Sequence, residues 1–286
     1  MANTDEELAF RELLASGRLP HASALASQRL FDLPEGEAPR VTLYRDTAAW
    51  CPYCEKVWLT LEEKRVPYTV EKVNMNCYGD KPAWFWAMQP SGGIPVAKID
   101  GRVIRESNDI IQVIEDTFPD HKPMLPTEAS DPEAFRRARP LLGLERELFS
   151  AWFRWLTSNM SDGAQRMNLI SILERVDAEL AVADGPYFLG ADVTLVDCFF
   201  APFLERMAAS LPYYKGLRLR GADSQFPNIE RWFQAMEGRP SYRHIQSDFY
   251  THVHDLPPQI GGCRMVEEAK VDLSFQKQRT RLSQAS

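Results

Sequence analysis

Two cysteines, Cys51 and Cys54, are the side chains in this sequence best suited to covalent chemistry. The run Cys51-Pro52-Tyr53-Cys54 follows a short β-prone stretch, Val41-Thr42-Leu43-Tyr44, and opens a helix-patterned stretch over 55–65. That order sets Cys51 at a helix N-cap and Pro52 at the first helical position, where a missing N–H costs nothing. Free N–H groups and the positive helix end stabilise an anion there, and a thiolate is such an anion. Cys54 falls one turn further in, near enough for a disulfide with Cys51 but more buried. A C-x-x-C beside a βαβ pattern favours thiol–disulfide redox chemistry. Zinc is the main rival, but a structural site takes four ligands, and there is no second C-x-x-C and no H-x3-5-H. A pair of inert buried cysteines fits a strand-to-helix junction poorly.

Two further constellations could serve such a thiol. Gly93-Ile94-Pro95 opens a strand-like run, and an X-Pro bond beside an active site can be cis. A cis bond would turn the Ile94 backbone toward the Cys51 pocket, where its N–H and C=O could pair with an extended peptide. An ordinary strand-start proline would leave the same trace. Glu106-Ser107 sits where the last strand of the region meets its last helix. Ser107 suits an N-cap, a helix N-terminus binds a carboxylate, and Glu106 could hold an amino group. A capping serine beside a surface acid explains the same pair equally well.

The elements that must position these residues read in the order β-α-β-α-β-β-α. After the first strand and helix, Tyr68 to Val73 alternates like a second strand, and Trp84 to Met88 is helix-compatible. Ile94 to Ile99 and Arg102 to Arg105 flank Asp100-Gly101, a strong hairpin signal, and an apolar-periodic helix over 108–118 follows. Residues 41–118 therefore read as a small α/β domain with a mixed sheet. The Pro-rich stretch 119–130 reads as a linker. Helix-compatible stretches near 131–160, 164–183, 194–211, 226–238 and 241–249 make 131–250 an all-helical domain. Residues 1–40 read as a polar extension with a short amphipathic helix on Leu8, Phe10, Leu13 and Leu14, and 251–286 as a tail.

Composition bounds the function. The 286 residues are 44% hydrophobic and 26% charged, enough for two ordinary cores. Lys and Arg total 33 against 40 Asp and Glu, and a net charge of −7 argues against a nucleic-acid partner. No apolar run approaches the ~18 residues of a membrane span. Five cysteines are too few for a secreted disulfide scaffold, so a soluble protein of a reducing compartment is expected. The acidic start lacks the apolar stretch of a secretory signal and the Arg/Ser-rich look of a transit peptide.

The segment Trp50 to Pro119 resembles the glutathione-binding domain of the cytosolic glutathione transferase superfamily, in its cysteine-dependent branch. The runs Leu59-Thr60-Leu61-Glu62-Glu63-Lys64-Arg65-Val66-Pro67-Tyr68 and Lys81-Pro82-Ala83-Trp84-Phe85 are similar to its omega, lambda, dehydroascorbate reductase and iota classes. Gly190 to Asp197 resembles the superfamily's N-capping box, with Thr194 and Asp197 as the structural cap. Lys56-Val57-Trp58, Cys77-Tyr78-Gly79 and Ser247 to Asp255 look iota-like, and with that class comes a plastid setting.

The resemblance implies a thioredoxin-like domain (βαβαββα) followed by a helical glutathione-transferase domain, with glutathione as cosubstrate and no metal. Cys51 would be the nucleophile, with Cys54 leaving open a monothiol or a dithiol route. Tyr53 would pack against glutathione, Lys81 would pair with its glycyl carboxylate, and Ile94, before a cis Pro95, would bond its cysteinyl backbone. Glu106 and Ser107 would hold its γ-glutamyl end. The second substrate would be a small electrophile, a disulfide or a glutathionylated molecule, in the cytosol or the chloroplast stroma. The alternative is a binding subunit of the same fold that docks onto a larger assembly through 1–40 and 251–286; homodimer formation follows only by analogy.

Other residues read more plainly. His252-x-His254 with Cys263 has no strong metal spacing, and Cys77 reads as a packed small residue or a resolving thiol. Trp152, Phe153 and Trp155 read as core, or as the lining of an apolar substrate site. Tyr213, Tyr214, Arg218 and Arg220 are candidates for a cleft.

Overall fold

The structure, a computed structural model, describes residues 5–75, 79–158, 163–247, 249 and 253. The chain divides into two compact units.

In the first unit, described over 5–75, 79–126 and 236–246, the elements are α1 (Asp5–Ser16), β1 (Gln28–Arg29), β2 (Val41–Asp46), α2 (Pro52–Lys64), β3 (Tyr68–Val73), α3 (Ala83–Met88), β4 (Val96–Ile99), β5 (Arg102–Arg105), α4 (Ser107–Thr117) and α9 (Pro240–Arg243). The sheet runs β1-β3-β2-β4-β5. β2 and β3 are parallel, from Val41 opposite Tyr68 to Asp46 opposite Val73. β4 is antiparallel to β2, and β5 to β4. The β4–β5 turn is made by Asp100 and Gly101, both at positive φ (48° and 80°), as a tight hairpin between twisted strands requires. This is the thioredoxin-like arrangement with an extra edge strand.

Pro52 starts α2 and Glu55 lies in its first turn, while Lys64 lies in its last turn, each charge complementing the helix dipole. Arg65 ends it in the left-handed conformation, with its N–H bonded to the carbonyls of Leu61 and Glu62. Val57, Trp58 and Leu61 pack into the core, yet the charged residues Glu62, Glu63 and Lys64 are buried too. Each has a partner from another segment. Arg29 donates to Glu62, as does the Tyr68 hydroxyl. Arg239 grips Glu63 through two bonds, and Lys64 pairs with Glu115 at 2.9 Å.

The reading of 1–40 as a polar extension needs amendment. α1 is present, but Gln28 and Arg29 also pair with Thr69 and Tyr68 and lengthen the sheet. Arg29 is buried, donating to the Leu19 carbonyl as well as to Glu62. The buried Arg45 guanidinium donates to the Ala24 carbonyl at 2.8 Å and lies over the Trp58 ring. A two-residue strand of polar side chains has no periodicity to betray it.

The second unit, described over 127–158, 163–235, 247, 249 and 253, carries α5 (Pro132–Thr157), α6 (Gly163–Leu180), α7 (Leu195–Lys215) and α8 (Pro227–Glu237), the last two residues of which group with the first unit. Among its described residues there is no strand, only a bridge between Tyr187 and Gly190. Leu144, Leu148 and Trp152 of α5 recur at helical spacing and are buried, as are Leu169, Leu173 and Val176 of α6. α7 is buried almost all round, the pattern of a central helix. Of the helix expected at 241–249, Pro240–Arg243 forms the short helix α9 and 244–247 leave the helix. Among the described residues, no helix is long and apolar enough to cross a membrane.

Candidate active site

Register brings the candidate residues to one end of the sheet. Tyr44 of β2 lies opposite Val96 of β4, which lies opposite Arg105 of β5. The loop carrying Cys51 leaves just beyond Tyr44, Pro95 immediately precedes Val96, and Glu106 immediately follows Arg105. The Ile94–Pro95 peptide is cis.

Cys51 is the N-cap of α2. Its sulfur accepts the Cys54 N–H at 3.4 Å, and its thiol lies 3.8 Å from the Ile94 carbonyl oxygen. The residue is 6% exposed. Cys54 is completely enclosed. Burial pushes the Cys54 thiol well up, and the adjoining Cys51 and the Asp46 charge push it the same way. Cys54 is therefore held as a neutral thiol.

Tyr53 is 40% exposed, on the outer face of the first helical turn. Lys81 is buried just ahead of α3. Glu106 and Ser107 stand differently from the sequence expectation. The N-cap of α4 is Glu106, at φ 64° and ψ 125°, and Ser107 is the first helical residue, buried. The glutamate makes no capping bond with its side chain. A non-glycine residue in that region of backbone space is strained, and such strain concentrates at functional sites.

One residue here escaped the sequence reading. Asp46 ends β2 and is 1% exposed. Its Oδ2 accepts the Trp50 N–H at 2.6 Å, which closes the loop that presents Cys51. Its Oδ1 has no hydrogen-bond partner among the described residues. The available signal was an acid at the end of the first β-prone stretch, five positions before Cys51.

The remaining candidates have structural uses or fall elsewhere. Trp152 is buried and donates to Ser210 Oγ at 3.0 Å; Trp155 is buried and Phe153 half-buried. Arg220 pairs with Glu230 at 3.1 Å and lies over Phe233. Thr194 and Asp197 form the capping box of α7. Cys77, His252, His254 and Cys263 lie outside the described residues. Among the described residues, no group of three or more His, Cys, Asp or Glu is placed to hold a metal ion.

A thioredoxin-like unit with a cysteine at its first helix N-terminus and a cis-proline beside it, followed by a helical unit, defines a class, and comparison with known proteins supplies the family. Residues 50–117 match the family described as the glutathione S-transferase N-terminal domain, and 163–235 match the corresponding C-terminal domain. Glutathione S-transferase DHAR2 of Arabidopsis thaliana is 27% identical over 202 residues, covering 71% of this chain and 86% of that protein. Probable glutathione S-transferase DHAR4 of Arabidopsis thaliana is 30% identical over 173 residues, covering 59% of this chain and 73% of that protein. Glutathione transferase Omega 3C from Trametes versicolor shares the fold, with a TM-score of 0.62 at 24% identity over 87% of this chain and 94% of that one.

The chain belongs to the glutathione transferase family, in its cysteine-type branch related to the omega and dehydroascorbate reductase classes. With that membership comes a glutathione-dependent thiol-transfer or redox activity in general terms, with glutathione as cosubstrate.

Proposed function

We propose that this protein is a glutathione-dependent thiol transferase that works through the Cys51 thiolate. The observation that carries the reading is the position of Cys51 at the N-cap of α2, its sulfur receiving the Cys54 N–H. A thiolate there attacks the glutathione sulfur of a glutathionylated substrate. The substrate sulfur leaves with the electron pair and takes a proton, and glutathione remains on Cys51 as a mixed disulfide. A second glutathione thiolate then attacks the glutathionyl sulfur, releasing oxidised glutathione and restoring Cys51. With a small disulfide as substrate, Cys51 attacks one sulfur and the other leaves as a thiol; two glutathione thiols then release the bound half as a second thiol and are themselves oxidised to their disulfide.

Glutathione lies along the cis-proline loop in this reading. Ile94 and Pro95 face its cysteinyl backbone, Tyr53 covers it, Lys81 meets the glycyl carboxylate, and Glu106 and Ser107 take the γ-glutamyl end. The convergence of these segments at one sheet end supports the assignment. The supply of reduced glutathione places the reaction in a reducing compartment, the cytosol or the plastid stroma.

The test is mass spectrometry after treatment with oxidised glutathione, alongside turnover of a glutathionylated substrate. Wild type should gain one glutathione on Cys51. Cys51→Ser should gain none there and lose at least about 10³-fold in turnover. Full turnover by Cys51→Ser would overturn the mechanism.

A second reading, a docking subunit, is favoured by Leu8, Phe10 and Leu13 standing exposed on α1. It predicts a large native mass that collapses when α1 is removed, together with no turnover.

A further inference from the structure

Helix α1 is barely covered by the unit it belongs to. Each of its described side chains is exposed except Leu14, which is half-buried. Leu8, Phe10 and Leu13 are large apolar groups among them. A helix of 12 residues is marginal in water by itself and gains its stability from a covered face, so α1 lacks the surface that should cover it. It is also acidic. Asp5, Glu6, Glu7 and Glu12 stand against a single cation, Arg11, which Glu7 holds at 2.7 Å. Asp5, Leu8 and Glu12 follow at i, i+3 and i+7 and share one face, an apolar side chain between two acids.

The complementary face is on α5. Arg136, Arg139, Arg146 and Arg154 lie along one exposed line of this helix, a local excess of cations in a chain of net charge −7. Of the acids on α5, Glu145 is buried, Glu147 is held by Arg175 at 2.6 Å, and Glu133 sits in the first turn. Arg136 and Arg154 donate to carbonyls of their own helix, those of Pro132 and Ser150. Arg139 and Arg146 have no ion-pair partner among the described residues. Between them is Gly143, exposed, with open space where a side chain would stand.

We propose that α1 of one copy of this chain docks antiparallel on α5 of a second copy, with Leu8 seated over Gly143, and that the second copy returns the contact. The register is set by spacing. From Asp5 the steps on α1 are three residues to Leu8 and four to Glu12; from Arg146 the steps back along α5 are three to Gly143 and four to Arg139. Asp5 thus meets Arg146 and Glu12 meets Arg139, the two charges on each helix being about 10.5 Å apart along the axis. Antiparallel packing also sets opposite ends of the two helix dipoles side by side. Mutual exchange closes a dimer and covers both faces on both copies. The proposal concerns assembly alone and stands whether or not Cys51 is the nucleophile.

Sedimentation of the full chain over a range of concentrations tests it. Wild type should reach twice its 32.7 kDa mass by about 100 μM. The double variants Asp5→Lys/Glu12→Lys and Arg139→Glu/Arg146→Glu should each sediment as a single chain, their dissociation constants raised at least about 100-fold by like charges facing each other. All four residues are exposed, so circular dichroism should match wild type. Mixed one to one, the two variants should pair again, because lysines then meet glutamates in one contact and the native acids meet the native arginines in the other. Gly143→Leu, which fills the seat of Leu8, should weaken association about 10-fold. Wild type that stays monomeric overturns the proposal, as α1 folding onto its own chain or serving an unrelated partner would show. A dimer that survives either charge reversal, or a mixture that stays monomeric, overturns it as well.

Discussion

Helices α2 and α7 each begin beside a buried carboxylate, and they use it in opposite ways. At α7, both oxygens of Asp197 are occupied. Oδ2 accepts the Thr194 N–H and the Thr194 hydroxyl at 2.9 Å each, and Oδ1 accepts the Phe188 N–H and the Trp232 indole N–H. Burial still pushes the Asp197 carboxyl up, and the four donors pull it back part of the way. At α2, the cap is a sulfur receiving one N–H at 3.4 Å, and the carboxylate beneath it has an oxygen to spare. A capping oxygen is a good acceptor and a sulfur a weak one, so Cys51 forgoes stability that a serine would provide. A helix start that only holds the fold saturates its polar groups, whereas one that does chemistry keeps reactive groups in reserve.

The largest effect expected from breaking the contrast is on stability. Asp197→Ala leaves three N–H donors buried and unpaired, and should cost about 4 kcal/mol in denaturant unfolding. Asp46→Asn keeps an oxygen for the Trp50 N–H and should cost less than about 1 kcal/mol. Equal losses would erase the distinction.

A smaller effect, with stability and function moving apart, is expected at α4. Glycine adopts the Glu106 backbone conformation freely, so Glu106→Gly should raise stability by about 1 kcal/mol while weakening retention of glutathione in a competition assay. A variant that gains stability and binds as before would remove Glu106 from the site.

Acid provides the mildest perturbation, and the pair it tests lies at neither cap. The rings of His21 and His244 stack at 3.7 Å, and burial, with His21 and Arg243 adding to it, lowers His244 from 6.5 to about 4. The folded chain thus binds fewer protons than the unfolded one between those values. The contribution of His244 is whole above pH 6.5 and lost as pH falls toward 4. The urea midpoint should fall across that window in wild type, and less steeply in His244→Gln. An identical slope in both would place the titration elsewhere.

Much of this was legible in the residues. The β-prone run Val41–Tyr44, the alternation in Tyr68–Val73 and the Asp100-Gly101 turn mark the sheet. Cys51 was legible because a helix cap is a local property, set by Pro52 and the strand before it. Asp46 was not, because what distinguishes it is the absence of a partner, and sequence spacing carries no trace of that. The displacement of the α4 cap from Ser107 to Glu106 was hidden for a related reason. Serine favours caps in general, but here the strand β5 runs directly into the helix and the turn must be made one residue earlier. β1 was invisible because two residues cannot show a period.

That short edge strand has a consequence for how the amino-terminal segment is inherited by any shortened version of the polypeptide. Arg29 is the cation that neutralises Glu62 inside the protein, and Ala24 supplies an oxygen to the guanidinium of Arg45. Cutting back to Val41 would preserve every element of the thioredoxin-like pattern and still strand an anion in an apolar interior, and it would leave the Arg45 guanidinium one hydrogen bond fewer. The opening stretch is ballast that the core was built around.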